Sequence, residues 1–382
     1  MISKSGRRFH KAFTILILSL LLSSLVAGLA GCAATNASTI SEEPAPEPEK
    51  PPVNPLTGEV ATSWDLIMRR PLAVKVENHA DARPQSGIVD ADLVYEELVE
   101  GGLTRFICIY LSQESPAIGP TRSARPSDID ITFYLNPLLI CSGGSDSVMS
   151  MIRASGMMYI EEDDAHFWRE RTRRAPHNLY TSTALLRQYL AEVGDTYNFL
   201  PDSGLYFVDP EEEAMEEEAD TSGETEDGET TDEEGIAEES AKESVMVSPA
   251  TSINIAYKAA MCAASYQYDA STDRYLHSIQ GAPHNDLTTG SRVAPRNVIV
   301  QYVKVTNSGL RDVAGSPVPV SQVIGSGQCL VFSGGKVYHA TWKKGSRSVP
   351  TTFSDENGNP VPLRPGQTWI HLLSEDIPVT YK

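Results

Sequence analysis

The chain has 382 residues and a formal net charge of −20, with 41% hydrophobic and 21% charged residues. That length supports two ordinary domains with a sizeable core once a leader is set aside. The acidity is local, because residues 209–243 hold 18 Asp or Glu against one Lys. The folded parts are therefore only mildly acidic, which argues against a nucleic-acid partner.

Lys4, Arg7, Arg8 and Lys11 precede an apolar run from Ala12 to Ala30, the layout of a secretory signal. The run ends in Leu29-Ala30-Gly31-Cys32, which resembles the bacterial lipobox, where the cysteine is lipidated and becomes the first residue of the mature chain. An uncleaved membrane anchor is the competing reading, but serine and threonine dilute the run. Residues 1–31 are read as a lipoprotein signal peptide and Cys32 as acylated, with palmitate the expected kind of chain. The expected location is the outer face of the cell membrane, lipid-anchored. Residues 32–53 are rich in Ala, Ser, Thr, Glu and Pro and read as a disordered tether. Cys108, Cys141, Cys262 and Cys329 show no C-x-x-C spacing and read as buried free thiols.

Residues 54–201 read as a mixed α/β domain. Leu72–Glu77 alternates as a strand, and Asp92–Glu100 and Thr104–Leu111 form a hairpin around Gly101-Gly102. Pro126–Tyr134 has helix character with Pro in its first turn. Leu138–Cys141 is wholly apolar, as for a strand buried on both faces. A glycine-bearing loop, Ser142-Gly143-Gly144-Ser145-Asp146, then feeds a helix, Met157–Ile160 returns as a strand, and Thr183–Val193 is helical. Residues 209–244 are too polar to offset their ordering entropy and read as an acidic disordered insertion. Residues 246–382 hold short runs rich in β-formers between turns, a β-rich domain. The fold class is thus an α+β or α/β N-terminal domain plus an all-β C-terminal domain, a sandwich or partly open barrel.

The most suggestive chemistry is basic. Arg83, Arg105, Arg122 and Arg125 stand beside turn residues, and guanidinium forks suit carboxylate or phosphate. Arg122 and Arg125 also precede a helix start, where free amides favour anions. The competing reading pairs these arginines with Asp90, Asp92, Glu96, Glu97 and Glu100. Tyr95 and Ser145 complete the candidate ligand-binding set, although Ser145 serves equally well as a helix cap. His177, in a loop after an arginine-rich run, is a candidate acid or base with Glu96 or Glu100. His284 and Asp286 offer a second His/Asp pair that could converge with it across a cleft. His-Glu-x-x-His and EF-hand patterns are absent, so neither metal nor cofactor is expected.

Several stretches together carry a family resemblance: Arg70–Asn78, Arg83–Gly87, Ala91–Glu96, Glu100–Phe106, Gly119–Arg125, Ala175–Tyr180, Asn297–Val300, Gly325–Gly327 and Thr341–Lys343. They resemble the YerB-like lipoproteins of Gram-positive bacteria, a family whose domain has no established reaction. The resemblance implies a mixed N-terminal domain and a β-rich C-terminal one. The leading reading is a membrane-anchored, non-catalytic envelope binding or assembly factor with an arginine-rich anion site. Its expected partners are the membrane, through lipid on Cys32, and a cell-wall anionic ligand or an envelope protein. The alternative is an envelope hydrolase or transferase using His177 with Glu96 or Glu100.

Overall fold

The computed structural model describes residues 51–208, 247–312 and 315–382. The expected signal peptide, Cys32, all but the last three residues of the tether, and the acidic insertion lie outside the described residues.

The first half forms strands β1 (Leu72–Glu77), β2 (Leu93–Leu98), β3 (Thr104–Tyr110), β4 (Leu138–Cys141) and β5 (Met158–Glu161). Its helices are α1 (Ser127–Thr132), α2 (Asp146–Ser155) and α3 (Thr183–Glu192). Ser145 and Ser182 cap α2 and α3, each accepting from an amide in the first turn. After a short strand at Val247–Pro249, the second half runs through β6 (Ser252–Ile255), β7 (Ala264–Asp269), β8 (Arg274–Ile279) and β9 (Asn297–Tyr302). It continues through β10 (Lys304–Arg311), β11 (Pro317–Gln322), β12 (Gly325–Ser333) and β13 (Lys336–Lys344). β14 (Thr352–Ser354), β15 (Thr368–Leu373) and β16 (Val379–Tyr381) complete it. The first half is mixed and the second β-rich, as the residue pattern indicates.

The pattern does not reveal that both halves build one sheet. Its order is β14-β13-β12-β9-β15-β2-β3-β1-β4-β5. The seam between halves is the parallel pair β2–β15, which sets Glu96 opposite His371. A second sheet, containing β8-β7-β6-β16, packs on one face of the large one. There Val74, Phe106 and Trp369 of the large sheet meet Ile253, Tyr266 and Tyr275, and α3 adds Leu186 and Leu190. The opposite face, carrying Ala73, Ile107 and Ile370, is covered by Ile129 of α1 and Val148 and Ile152 of α2. Period-two alternation sends successive residues to these two interiors, so every residue of β1 and β2 is buried. All four described cysteines are buried free thiols.

Candidate functional site

Charged residues inside fully buried strands need partners, and these decide what remains for a ligand. Lys75 of β1 reaches Glu97 of β2, and its Nζ donates to Asp128 Oδ1 of α1 at 2.7 Å. All three side chains are fully buried or nearly so. Burial raises the Glu97 carboxyl first and nearby Asp128 adds to it, while Lys75 opposes both. Burial thus favours the protonated form of Glu97, and Asp128 is the second carboxyl on Lys75. The other oxygen of Asp128 accepts the Arg125 amide at 2.7 Å, which pins the entry to α1.

Two residues further along β1, Glu77 lies opposite Arg105 of β3. The stretch 118–125 runs beside this end of the strand. Glu77 N donates to Pro120 O at 3.0 Å, and Arg122 N donates to Lys75 O at 3.0 Å. Arg122, Arg105 and Glu77 are thereby gathered at one rim, and Glu100 joins them from the β2–β3 turn. They line an open groove of ≈ 250 Å³ together with His79 and, from the β10–β11 hairpin, Asp312.

The arginines differ in how far they are satisfied. Arg125 pairs with Glu100: Nη2 donates to Oε2 at 2.6 Å, and Nε lies 2.6 Å from Oε1 without the alignment of a hydrogen bond. Arg122 Nη2 meets Glu77 Oε1 at 2.7 Å, while its buried Nε has no hydrogen-bond partner among the described residues. Arg105 donates from Nη1 to Ser123 O at 2.8 Å and, among the described residues, forms no ion pair with a carboxylate. Burial lowers its pKa to about 10, Arg125 and Arg122 push the same way, and Glu100 and Glu77 oppose. Arg105 thus stays cationic near neutral pH, partly desolvated beside two other cations. That is the electrostatic setting in which an added anion is welcome.

The other expected residues fall elsewhere. Arg83 projects toward the second half, where Nη2 donates to Asn78 O at 2.7 Å and Met261 O at 2.6 Å. It is a buttress between the halves and is absent from the groove lining. Tyr95 is buried against α1, its hydroxyl 2.9 Å from that of Tyr134. Ser145 caps α2, accepting from Val148 N at 3.4 Å. His177 Nδ1 lies 2.9 Å from Glu77 Oε2, so its partner is neither of the two glutamates expected for it. Glu96 accepts from Thr104 Oγ1 at 2.6 Å and contacts His371 on the face that meets the second sheet. Adjacent residues on a strand point to opposite faces, so Glu96 is turned away from the groove while Glu97 is not. Glu100 does line the groove, but Arg125 holds it.

His284 and Asp286 do not converge with His177. Asp286 Oδ2 accepts Ile88 N at 2.8 Å, and His284 Nε2 lies 2.9 Å from Gln85 Oε1. Gln85 spends its amide NH₂ on Glu77 O at 2.9 Å, so its oxygen is an acceptor and His284 Nε2 must carry the proton. His284 Nδ1 then accepts from His277 Nδ1 at 2.9 Å, which leaves His277 Nε2 bare and without a partner among the described residues. His371 adds a third buried imidazole, 2.8 Å from both the Tyr257 and Tyr266 hydroxyls. These histidines fasten one sheet to the other. Of these, His284 stands out in the sequence, whereas His277 and His371 give no signal beyond an imidazole inside a strand.

Two family descriptions match the chain: the DUF3048 N-terminal domain, a protein of unknown function, over residues 56–196, and the DUF3048 C-terminal domain over residues 253–370. YerB of Bacillus subtilis (strain 168), whose name provisionally calls it a lipoprotein, is 28% identical over 328 residues, 84% of this chain and 86% of that protein. The crystal structure of YerB from Bacillus subtilis is similar with a TM-score of 0.67 at 25% identity, covering 86% of this chain and 99% of that one.

Proposed function

Because the chain belongs to the YerB-like lipoprotein family, we propose that it is held by lipid on Cys32 at the outer face of the membrane and binds an anionic envelope group in the groove at the end of β1. Its work is recognition or assembly rather than turnover. The observation that carries the anion reading is Arg105, a desolvated cation beside Arg122 and Arg125 with no carboxylate of its own among the described residues. The groove suits one phosphate or carboxylate and its immediate neighbours, as in an anionic wall polymer or a peptidoglycan stem peptide.

Isothermal titration of the full-length protein with soluble poly(glycerol phosphate), and separately with a stem peptide, tests this. A charge-assisted hydrogen bond contributes about 1.5–3 kcal/mol, so Arg105→Met should weaken binding roughly 10- to 100-fold. Added salt should weaken the wild type as well. Binding that ignores both Arg105→Met and Arg122→Met in folded protein would refute the site.

A further inference from the structure

We propose that His79, Asp81 and His177 form a site for one divalent transition-metal ion of the zinc class at the mouth of the groove. The proposal goes beyond the anion reading and stands without it, since none of its three ligands is an arginine partner on which that reading depends.

One ligand atom from each residue can be chosen so that all lie within 4.8 Å of one another. Asp81 Oδ2 is 3.6 Å from His79 Nδ1 and 3.9 Å from His177 Nε2. Bonds of about 2.0–2.2 Å in tetrahedral array put neighbouring ligands about 3.4 Å apart, so the two Asp81 spacings close with shifts of a few tenths of an ångström, and the two imidazole nitrogens, within 4.8 Å, must draw in as well. Asp81 is 71% exposed and can make that adjustment. The turn Ala80–Ala82 and the loop bearing His177 bring these residues together from distant parts of the chain, which is why no short metal motif appears in the sequence.

The second observation is the orientation of His177. Glu77 Oε2 accepts a hydrogen bond from its Nδ1 at 2.9 Å, which holds the ring with Nε2 turned toward the Asp81 carboxylate, 3.9 Å away, as the nitrogen left for a metal. Carboxylate to imidazole to metal is the arrangement by which proteins orient a ligating histidine and raise its basicity. The His79 ring stacks on His177 with centroids 5.3 Å apart and planes 19° apart, so the rings are neighbours and the more exposed His79 must turn for both nitrogens to aim at one ion. Coordination through His79 Nδ1 displaces one weak contact, the 3.2 Å bond from the exposed Asp81 amide. Two imidazoles and one carboxylate favour Zn²⁺ over Mg²⁺ or Ca²⁺, and three protein ligands leave a coordination position open. Because His79 also lines the groove, that position lies at its mouth. Glu77 is the positioning residue, with one oxygen on His177 and the other on Arg122.

The test uses the full-length protein stripped with a chelator and titrated with Zn²⁺ against a chromophoric indicator, then with Co²⁺. One equivalent should bind, and the Co²⁺ form should show the visible absorption of a low-coordinate nitrogen and oxygen site. Asp81→Asn and His177→Ala should each weaken binding more than 10-fold. Glu77→Gln keeps all three ligands and should still weaken it about 10- to 100-fold. His339→Ala, a histidine paired with Tyr381 far from this cluster in the fold, should change nothing. No stoichiometric binding, or binding indifferent to Asp81→Asn and His177→Ala, overturns the site. Arg105→Met leaves these ligands untouched, so anion binding unchanged by Arg105→Met in protein that still takes up Zn²⁺ would sink the anion reading alone.

Discussion

Acid should loosen the contact between the two sheets, and His284 sets the scale. Burial first, then nearby Arg83 and Arg292, lower its pKa from 6.5 to about 3. His277 moves the same way, through burial and then His284, His371 and Arg292. The folded protein therefore refuses a proton that the unfolded chain accepts below pH 6.5. The stability held by the neutral imidazole is complete above pH 6.5 and drains as the pH falls toward about 3. Between about pH 6.5 and about pH 4.5 the gap is about two units, or about 2–3 kcal/mol from His284 alone at about 1.4 kcal/mol per unit. Geometry gives the same sign, since His284 Nδ1 already accepts a hydrogen bond and the bare His277 Nε2 has no acceptor nearby to take a new proton. His284→Asn should lose about 1–3 kcal/mol at neutral pH through the lost link to Gln85, yet shed one proton's worth of acid slope. Urea unfolding across this pH range, followed by tryptophan fluorescence and far-ultraviolet dichroism, reads both quantities. Trp369 is fully buried with its ring 4.8 Å from that of His277, which makes it a local reporter. Equal pH slopes in wild type and His284→Asn would refute the reasoning.

Two further outcomes follow from buried contacts. Lys75→Met leaves Glu97 and Asp128 buried without their cation and should cost about 3–5 kcal/mol, whereas Glu97→Gln, at a carboxyl that burial pushes toward its protonated form, should cost under about 1.5 kcal/mol. Denaturant midpoints of the two variants decide it, and the reverse ranking would mean that Glu97 is the charged partner. Gly87 has φ +82° and a Cβ there would sit 2.6 Å from Ala117 O, while Gly281 has φ +75° with open space around it. Gly87→Ala should therefore cost about 2–4 kcal/mol against about 1 kcal/mol for Gly281→Ala, and equal losses in thermal melts would show that the packing around Gly87 is looser than described.

Local signals in the chain were legible because local physics sets them. Ser145 and Ser182 announce helix starts, the Gly101-Gly102 pair announces a hairpin turn, and the apolar run Leu138–Cys141 announces a strand buried on both sides. Pairings across the sheet were not legible. Lys75 stands out as a charge in a buried strand, but its partner Glu97 follows only from the order β1-β3-β2. The four arginines share glycine-bearing surroundings, yet only Arg105, Arg122 and Arg125 gather at the end of β1. Arg83 lies beyond that strand, after the turn Ala80–Ala82, and spends its donors on carbonyls of both halves. The continuity of the sheet was hidden for a similar reason. Alternation within β9 or β15 reports burial on each face, but not which strand lies alongside.

The most direct test of the anion site is a crystal of the wild-type protein soaked in selenate, with anomalous differences measured beside those of Arg105→Met. The account predicts a selenium peak in the groove within hydrogen-bond reach of the Arg105 guanidinium and Arg122 Nε, absent from the variant. A groove without a peak in the wild type, or one that persists unchanged in Arg105→Met, would contradict it.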